Sequence, residues 1–111
     1  MTTASPFSPL ASDTLVELVD RLAAAVHPRA VYLFGSHAHG VPRSDSDVDL
    51  MLLVDDPPDI ELYQRGREAI RNMGLPIELH FCEKGRFERY ATVFGTFQHD
   101  IRSKGILLYA A

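Results

Sequence analysis

Cysteine is nearly absent from this chain: Cys82 is the single thiol among 111 residues. No internal disulfide can form, and no Cys/His pair stands at zinc-site spacing. That usage suits a reducing compartment, so a cytoplasmic location is expected. Long apolar runs are missing too, and nothing approaches the length that crosses a bilayer. The start, Met1 to Ser12, has no Lys or Arg, so neither a secretory signal nor a transit peptide is expected. Positive charge is scarce overall, with 11 Lys and Arg against 15 Asp and Glu and a formal net charge of −4. A general nucleic-acid binder needs a basic surface to displace counterions from phosphates, so the balance argues against that class. A small nucleotide or a protein is the expected partner. There is no repeat, low-complexity tract or internal linker. A chain of this size can bury one core unaided, which predicts a single domain over residues 13–111 behind a loose lead-in over 1–12.

What is present is a regular alternation of helix and strand signals. Thr14-Leu15-Val16-Glu17 fits a capping box, and Leu15, Leu18, Val19, Leu22, Ala23 and Val26 recur at helical spacing up to His27-Pro28. Ala30 to Phe34 is a short apolar run ended by Gly35-Ser36, and Asp47 to Val54 is a second strand closed by Asp55-Asp56-Pro57-Pro58. Asp59 can cap a second helix, striped by Ile60, Leu62, Tyr63, Ala69, Ile70 and Met73 before Gly74. Ile77 to Cys82 alternates as a third strand. Phe87, Tyr90, Val93, Phe94, Phe97 and Ile101 form a third helical stripe, and Ile106 to Tyr109 a last strand. This order predicts an α/β (α+β) fold, a small mixed sheet with helices packed on it.

Gly35-Ser36, ten intervening residues, then Asp47-Val48-Asp49 is the most informative pattern. A Gly-Ser turn after a strand leaves backbone N–H groups and a hydroxyl able to hold an anion. Two Asp at i and i+2 of an extended segment share a face, roughly 7 Å apart. Their face continues with Met51 and Leu53, and the opposite face carries Val48, Leu50, Leu52 and Val54. A strand apolar on both faces belongs inside a covered sheet, which puts these acids at its mouth, where carboxylates need partners. No Lys or Arg is interleaved with them, whereas Asp45, Asp55 and Asp56 add negative charge. Oxygen-only donors then point to Mg²⁺ or Mn²⁺. A nucleoside triphosphate would be repelled by the acids unless cations lay between, and its outer phosphates need donors. Ser36 and the N–H groups after it can supply them if His37 to His39 form the first turn of a short helix, with Gly40 releasing the backbone. Each motif alone has an ordinary reading, a strand's wet face or a plain strand end; together they suggest nucleotidyl transfer. Glu78 is the candidate third acid, early in the third strand with Ile77, Leu79 and Phe81 facing away. His80 and Cys82 share its face, and a packed face of mixed polarity is favoured for them over metal binding.

Gly35-Ser36-His37-Ala38-His39-Gly40 followed by Ser46-Asp47-Val48-Asp49-Leu50 resembles the GSxAxG and SDxDL blocks of minimal nucleotidyltransferases of the DNA polymerase β superfamily. That group includes the MNT-type antitoxins of HEPN toxins. Gly105-Ile106-Leu107-Leu108-Tyr109 is similar to the family's terminal Gly-x-x-Leu-Tyr pattern. The resemblance implies the polymerase-β-like fold, with Gly35, Ser36, His39 and Gly40 at the triphosphate and Asp47, Asp49 and Glu78 as catalytic metal ligands. The sequence departs from the pattern at His39, where Arg or Lys is frequent, and at Glu78, where Asp is common. The reading that follows is transfer of AMP from ATP, with two Mg²⁺ ions, to a hydroxyl presented by another protein. Resemblance suggests a tyrosine of a HEPN toxin. Two alternatives stand beside it: an antitoxin acting by contact alone, and a small-molecule transferase of aminoglycoside type. Of the aromatic stripe, most members are expected in the core and one or two at a partner surface. Homo-oligomerisation stays open.

Overall fold

The structure is a computed structural model that describes residues 12–38 and 47–111. Helix α1 (Ser12–Val26) buries Leu15, Leu18, Val19, Leu22 and Val26 along one stripe. It begins two residues ahead of the expected capping box, taking Ser12 out of the lead-in; Asp13 in its first turn suits the helix dipole. His27, with φ of 48°, and Pro28 end it. Strand β1 (Ala30–Phe34) runs into a short 3₁₀ turn, Gly35–His37, and strand β2 spans Val48–Val54. Helix α2 (Ile60–Ala69) is capped as its sequence predicts, the Asp59 carboxylate accepting from the Leu62 N–H at 2.9 Å. Strand β3 (Ile77–Glu83), helix α3 (Lys84–Ala91), helix α4 (Phe97–Lys104) and strand β4 (Ile106–Ala110) complete the order.

The stripe from Phe87 to Ile101 is therefore two helices, not one. The chain leaves α3 at Thr92, passes Gly95 at φ of 92°, and restarts at Thr96. The Thr96 hydroxyl accepts from the His99 N–H at 3.1 Å and donates to the Tyr90 carbonyl at 2.7 Å. A left-handed glycine followed by a capping threonine stops and restarts a helix whatever the apolar period says.

The four strands lie in the order β3-β2-β1-β4. Pairs β1–β2 and β1–β4 are antiparallel, and β2–β3 is parallel. One face packs Val31, Leu33, Val48, Leu50, Leu52, Ile77 and Leu79 against Leu15, Leu18 and Leu22 of α1 and Ile70 beyond α2. The other packs Ala30, Met51, Leu53 and Cys82 against Phe87, Ala91 and Ile101 of α3 and α4. Strand β2 is thus covered on both sides, as its apolar run from Leu50 to Val54 requires. Gly105 explains part of the terminal pattern: a Cβ there would lie 2.5 Å from the Ile101 carbonyl oxygen and 3.0 Å from that of Leu33. Only a bare Cα lets α4 hand over to β4 so close to β1. No described helix is long and apolar enough to cross a membrane.

Candidate active site

Register brings the motifs to one end of the sheet. Phe34, the last residue of β1, pairs with Asp49, and Asp49 pairs with Glu78 across the parallel ladder. The 3₁₀ turn that follows Phe34 includes Ser36 and His37, and the Ala38 N–H donates to the Gly35 carbonyl at 3.0 Å. This turn comes earlier than the expected one at His37 to His39. His39 and Gly40 lie outside the described residues, as do Asp45 and Ser46. Gly35 has φ of 80°, and a Cβ built on it would stand 2.5 Å from Asp49 Oδ2. The turn therefore rests directly on the carboxylate, and any side chain at Gly35 would occupy the space beside it.

Asp49 is half-buried, Glu78 exposed and His80 half-buried, and one ligand atom from each lies within 4.8 Å of the others. Asp47 precedes β2, exposed, outside that trio. It lines a pocket of about 680 Å³ with Glu78, Arg67 and Arg71. Burial holds the Asp49 carboxyl above its ordinary pKa; Glu78 and Asp47 push it the same way, while His80 and the buried His37 pull it down. A half-buried carboxylate crowded by two more acids is the environment that a divalent cation relieves. The oxygen donors of Asp47, Asp49 and Glu78 suit Mg²⁺, and the half-buried Asp49 carboxylate crowded by the other acids needs such a charge, so these residues fit the ion.

His80 is the residue the sequence reading set aside. Its ring packs edge-on against Phe34 at 5.3 Å and Phe97 at 6.0 Å between centroids, and those two rings meet at 5.5 Å. Sequence parity already placed it on the face of Glu78, two residues on. What parity could not give is the pair of aromatic rings, from β1 and α4, that hold it beside the acids.

A mixed sheet that seats a Gly-Ser turn on one acid and brings a second from the neighbouring strand is the framework of a nucleotidyl-transferring enzyme. The family model described as polymerase beta, nucleotidyltransferase matches residues 17–111, and the chain belongs to that family. No curated protein matches it in sequence. Among solved structures, a toxin–antitoxin crystallised with AMP-PNP is similar at TM-score 0.60 and 17% identity, over 87% of this chain and 73% of the other. The tri-AMPylated HEPN toxin of Shewanella oneidensis in complex with MNT antitoxin gives TM-score 0.59 at 14% identity, over 88% and 71%. The toxin–antitoxin MntA-HepT gives 0.53 at 14%, over 88% and 71%. At these identities the likeness is one of fold.

Proposed function

We propose that this chain transfers AMP from ATP to a hydroxyl of a partner protein, a tyrosine of a HEPN-type toxin, and so acts as an antitoxin. The observation that carries the chemistry is the close packing of Gly35, at the head of the Gly-Ser turn, on the Asp49 carboxylate, because it sets an anion cradle and a cation site against each other. The toxin partner is supported by the fold shared with antitoxins in the two HEPN or HepT complexes.

Asp47, Asp49 and Glu78 would hold two Mg²⁺ ions, which when bound neutralise phosphate charge and make the α-phosphorus electrophilic. The rest follows from the chain's own layout. The Gly35-Ser36 turn lies on the β1 side of Asp49 and Glu78 on the β3 side. The β- and γ-phosphates then sit at Ser36, whose hydroxyl donates to an outer oxygen, and the acceptor enters past Glu78. The acceptor oxygen bonds to the α-phosphorus as the bond to the bridging oxygen breaks. Pyrophosphate leaves on the Ser36 side, and the hydroxyl proton passes to the Glu78 carboxylate.

Incubation of the protein with its HEPN partner, labelled ATP and Mg²⁺ tests this. AMP mass on a partner tyrosine, lost with Asp49→Asn, is the expected result; transfer unchanged by that substitution would remove the acid pair from the mechanism. A second reading, neutralisation by contact alone, is favoured by Phe94, 88% exposed at the turn between α3 and α4. It predicts a silenced toxin with no mass added.

A further inference from the structure

We propose that His80 supplies a nitrogen ligand to the cation held by Asp49 and Glu78, so that this position takes Mn²⁺ in preference to Mg²⁺. The inference deepens the two-cation reading above and rests on it for its catalytic meaning. Three observations carry it. The ligand atoms of Asp49, Glu78 and His80 lie within 4.8 Å of one another. Donors about 2.1 Å from one ion can stand up to about 4.3 Å apart, so small side-chain rotations close the trio on a single cation.

The second observation is the mounting of the imidazole. Phe34 and Phe97 meet its ring edge-on from two elements, β1 and α4, and they also pack on each other. A ligand fixed in this way loses little freedom on binding a metal. The third is the bare Gly35 Cα, against which Asp49 Oδ2 packs so closely that a Cβ there would stand 2.5 Å from it, so the turn fixes where that carboxylate lies. The donor set is then two carboxylates and one imidazole from three consecutive same-face positions across β2 and β3. Mg²⁺ demands near-ideal octahedral oxygen geometry, whereas Mn²⁺ accepts imidazole more readily and stands above it in affinity for nitrogen donors. Asp47, outside the trio, would be left for the second ion of the proposed pair.

The test uses nucleotide-free protein and Mn²⁺ as probe. Titration followed by the electron paramagnetic resonance of free Mn²⁺ gives the affinity, and competition with Mg²⁺ gives the preference. Electron spin echo modulation of the bound ion shows whether ¹⁴N is coordinated. Mn²⁺ is expected to bind at least about 10-fold tighter than Mg²⁺ and to show imidazole nitrogen modulation. In His80→Gln that modulation should vanish and Mn²⁺ affinity fall about 10-fold, with Mg²⁺ affinity changed less than about 3-fold. No saturable Mn²⁺ binding, bound Mn²⁺ without nitrogen modulation in the parent, or modulation that survives in His80→Gln would each overturn the assignment. The parent spectrum decides even where the variant folds poorly. Failure here with intact Mg²⁺-dependent AMP transfer would leave the nucleotidyltransferase reading standing; failure of transfer with nitrogen-ligated Mn²⁺ present would do the reverse.

Discussion

At the scale of single residues, the contact between Gly35 and Asp49 decides most. Gly35→Ala must both hold φ near 80° and place a Cβ 2.5 Å from a carboxylate oxygen. A cost of about 1–3 kcal/mol in stability is expected from the backbone strain, read as a lower melting temperature, together with loss of AMP transfer. Asp49 itself sets a pH dependence. Its folded-state pKa is raised, chiefly by burial, so the protein binds that proton more tightly folded than unfolded. Above the unfolded pKa the ionised carboxylate therefore costs stability, and the cost fades as pH falls through the raised folded value. Metal-free Asp49→Asn should melt above the parent at neutral pH, with the gap closing as the solution is acidified. Mg²⁺ should stabilise the parent and do little for the variant, which closes the gap from the other side. A parent that melts higher than the variant in chelator at pH 7 would contradict this account of Asp49. Ser36→Ala removes one donor to a charged oxygen, worth about 1.5–3 kcal/mol, and calorimetry should find ATP binding weakened by a corresponding 10-fold or more.

At the scale of elements, β2 was legible from an apolar run covered on both faces and β3 from the alternation that burial of one face imposes. Knowing that Asp49 and Glu78 share a face required only parity. That they sit side by side required the parallel register, which no local pattern encodes. The break between α3 and α4 was hidden for a physical reason: both helices lie on the same face of the sheet, so Phe87, Ala91 and Ile101 keep one core stripe across a gap. Gly95 and Thr96 were the available signal, a left-handed glycine and a capping hydroxyl, outweighed by the apolar period. The cap can be checked. Thr96→Val keeps the shape and removes the hydrogen bonds to His99 and Tyr90, so a loss of about 1 kcal/mol is expected in denaturant unfolding. Equal stability would mean that Gly95 alone sets the break. The ring packing of His80 on Phe34 and Phe97 was hidden for a related reason, since those neighbours come from β1 and from a helix whose start was not foreseen.

At the scale of the whole molecule, the site lies at one end of the sheet beside the pocket lined by Asp47 and Glu78, and positioning of the acceptor supplies much of the rate in group transfer. In the proposed transfer, the partner presents the acceptor there. Against the expectation that most of the aromatic stripe is core, only Phe87 and Ile101 of it are buried, and Tyr90 (38%), Phe97 (49%), Val93 (49%) and Phe94 (88%) are exposed, because the chain breaks between α3 and α4 and turns these side chains outward. Only Phe94 projects almost wholly into solvent, its ring edge on His99 at 5.4 Å. It stands three residues ahead of Phe97, whose ring touches both Phe34 and His80. A partner seated on the turn between α3 and α4 would therefore lie next to the catalytic end of the sheet, which is where its tyrosine has to arrive. Anchors of this kind carry a disproportionate share of interface energy, about 2 kcal/mol or more each. If the partner is the proposed toxin, Phe94→Asp should weaken their complex at least about 30-fold while leaving melting temperature and ATP affinity near those of the parent, because the exposed ring contributes little to the core. Asp49→Asn should show the opposite pattern, a stable complex without AMP on the partner. The two substitutions separate docking from chemistry. A toxin complex of parental affinity with Phe94→Asp would move the docking face elsewhere, and transfer to a free small molecule by the uncomplexed protein would remove the need for that face altogether.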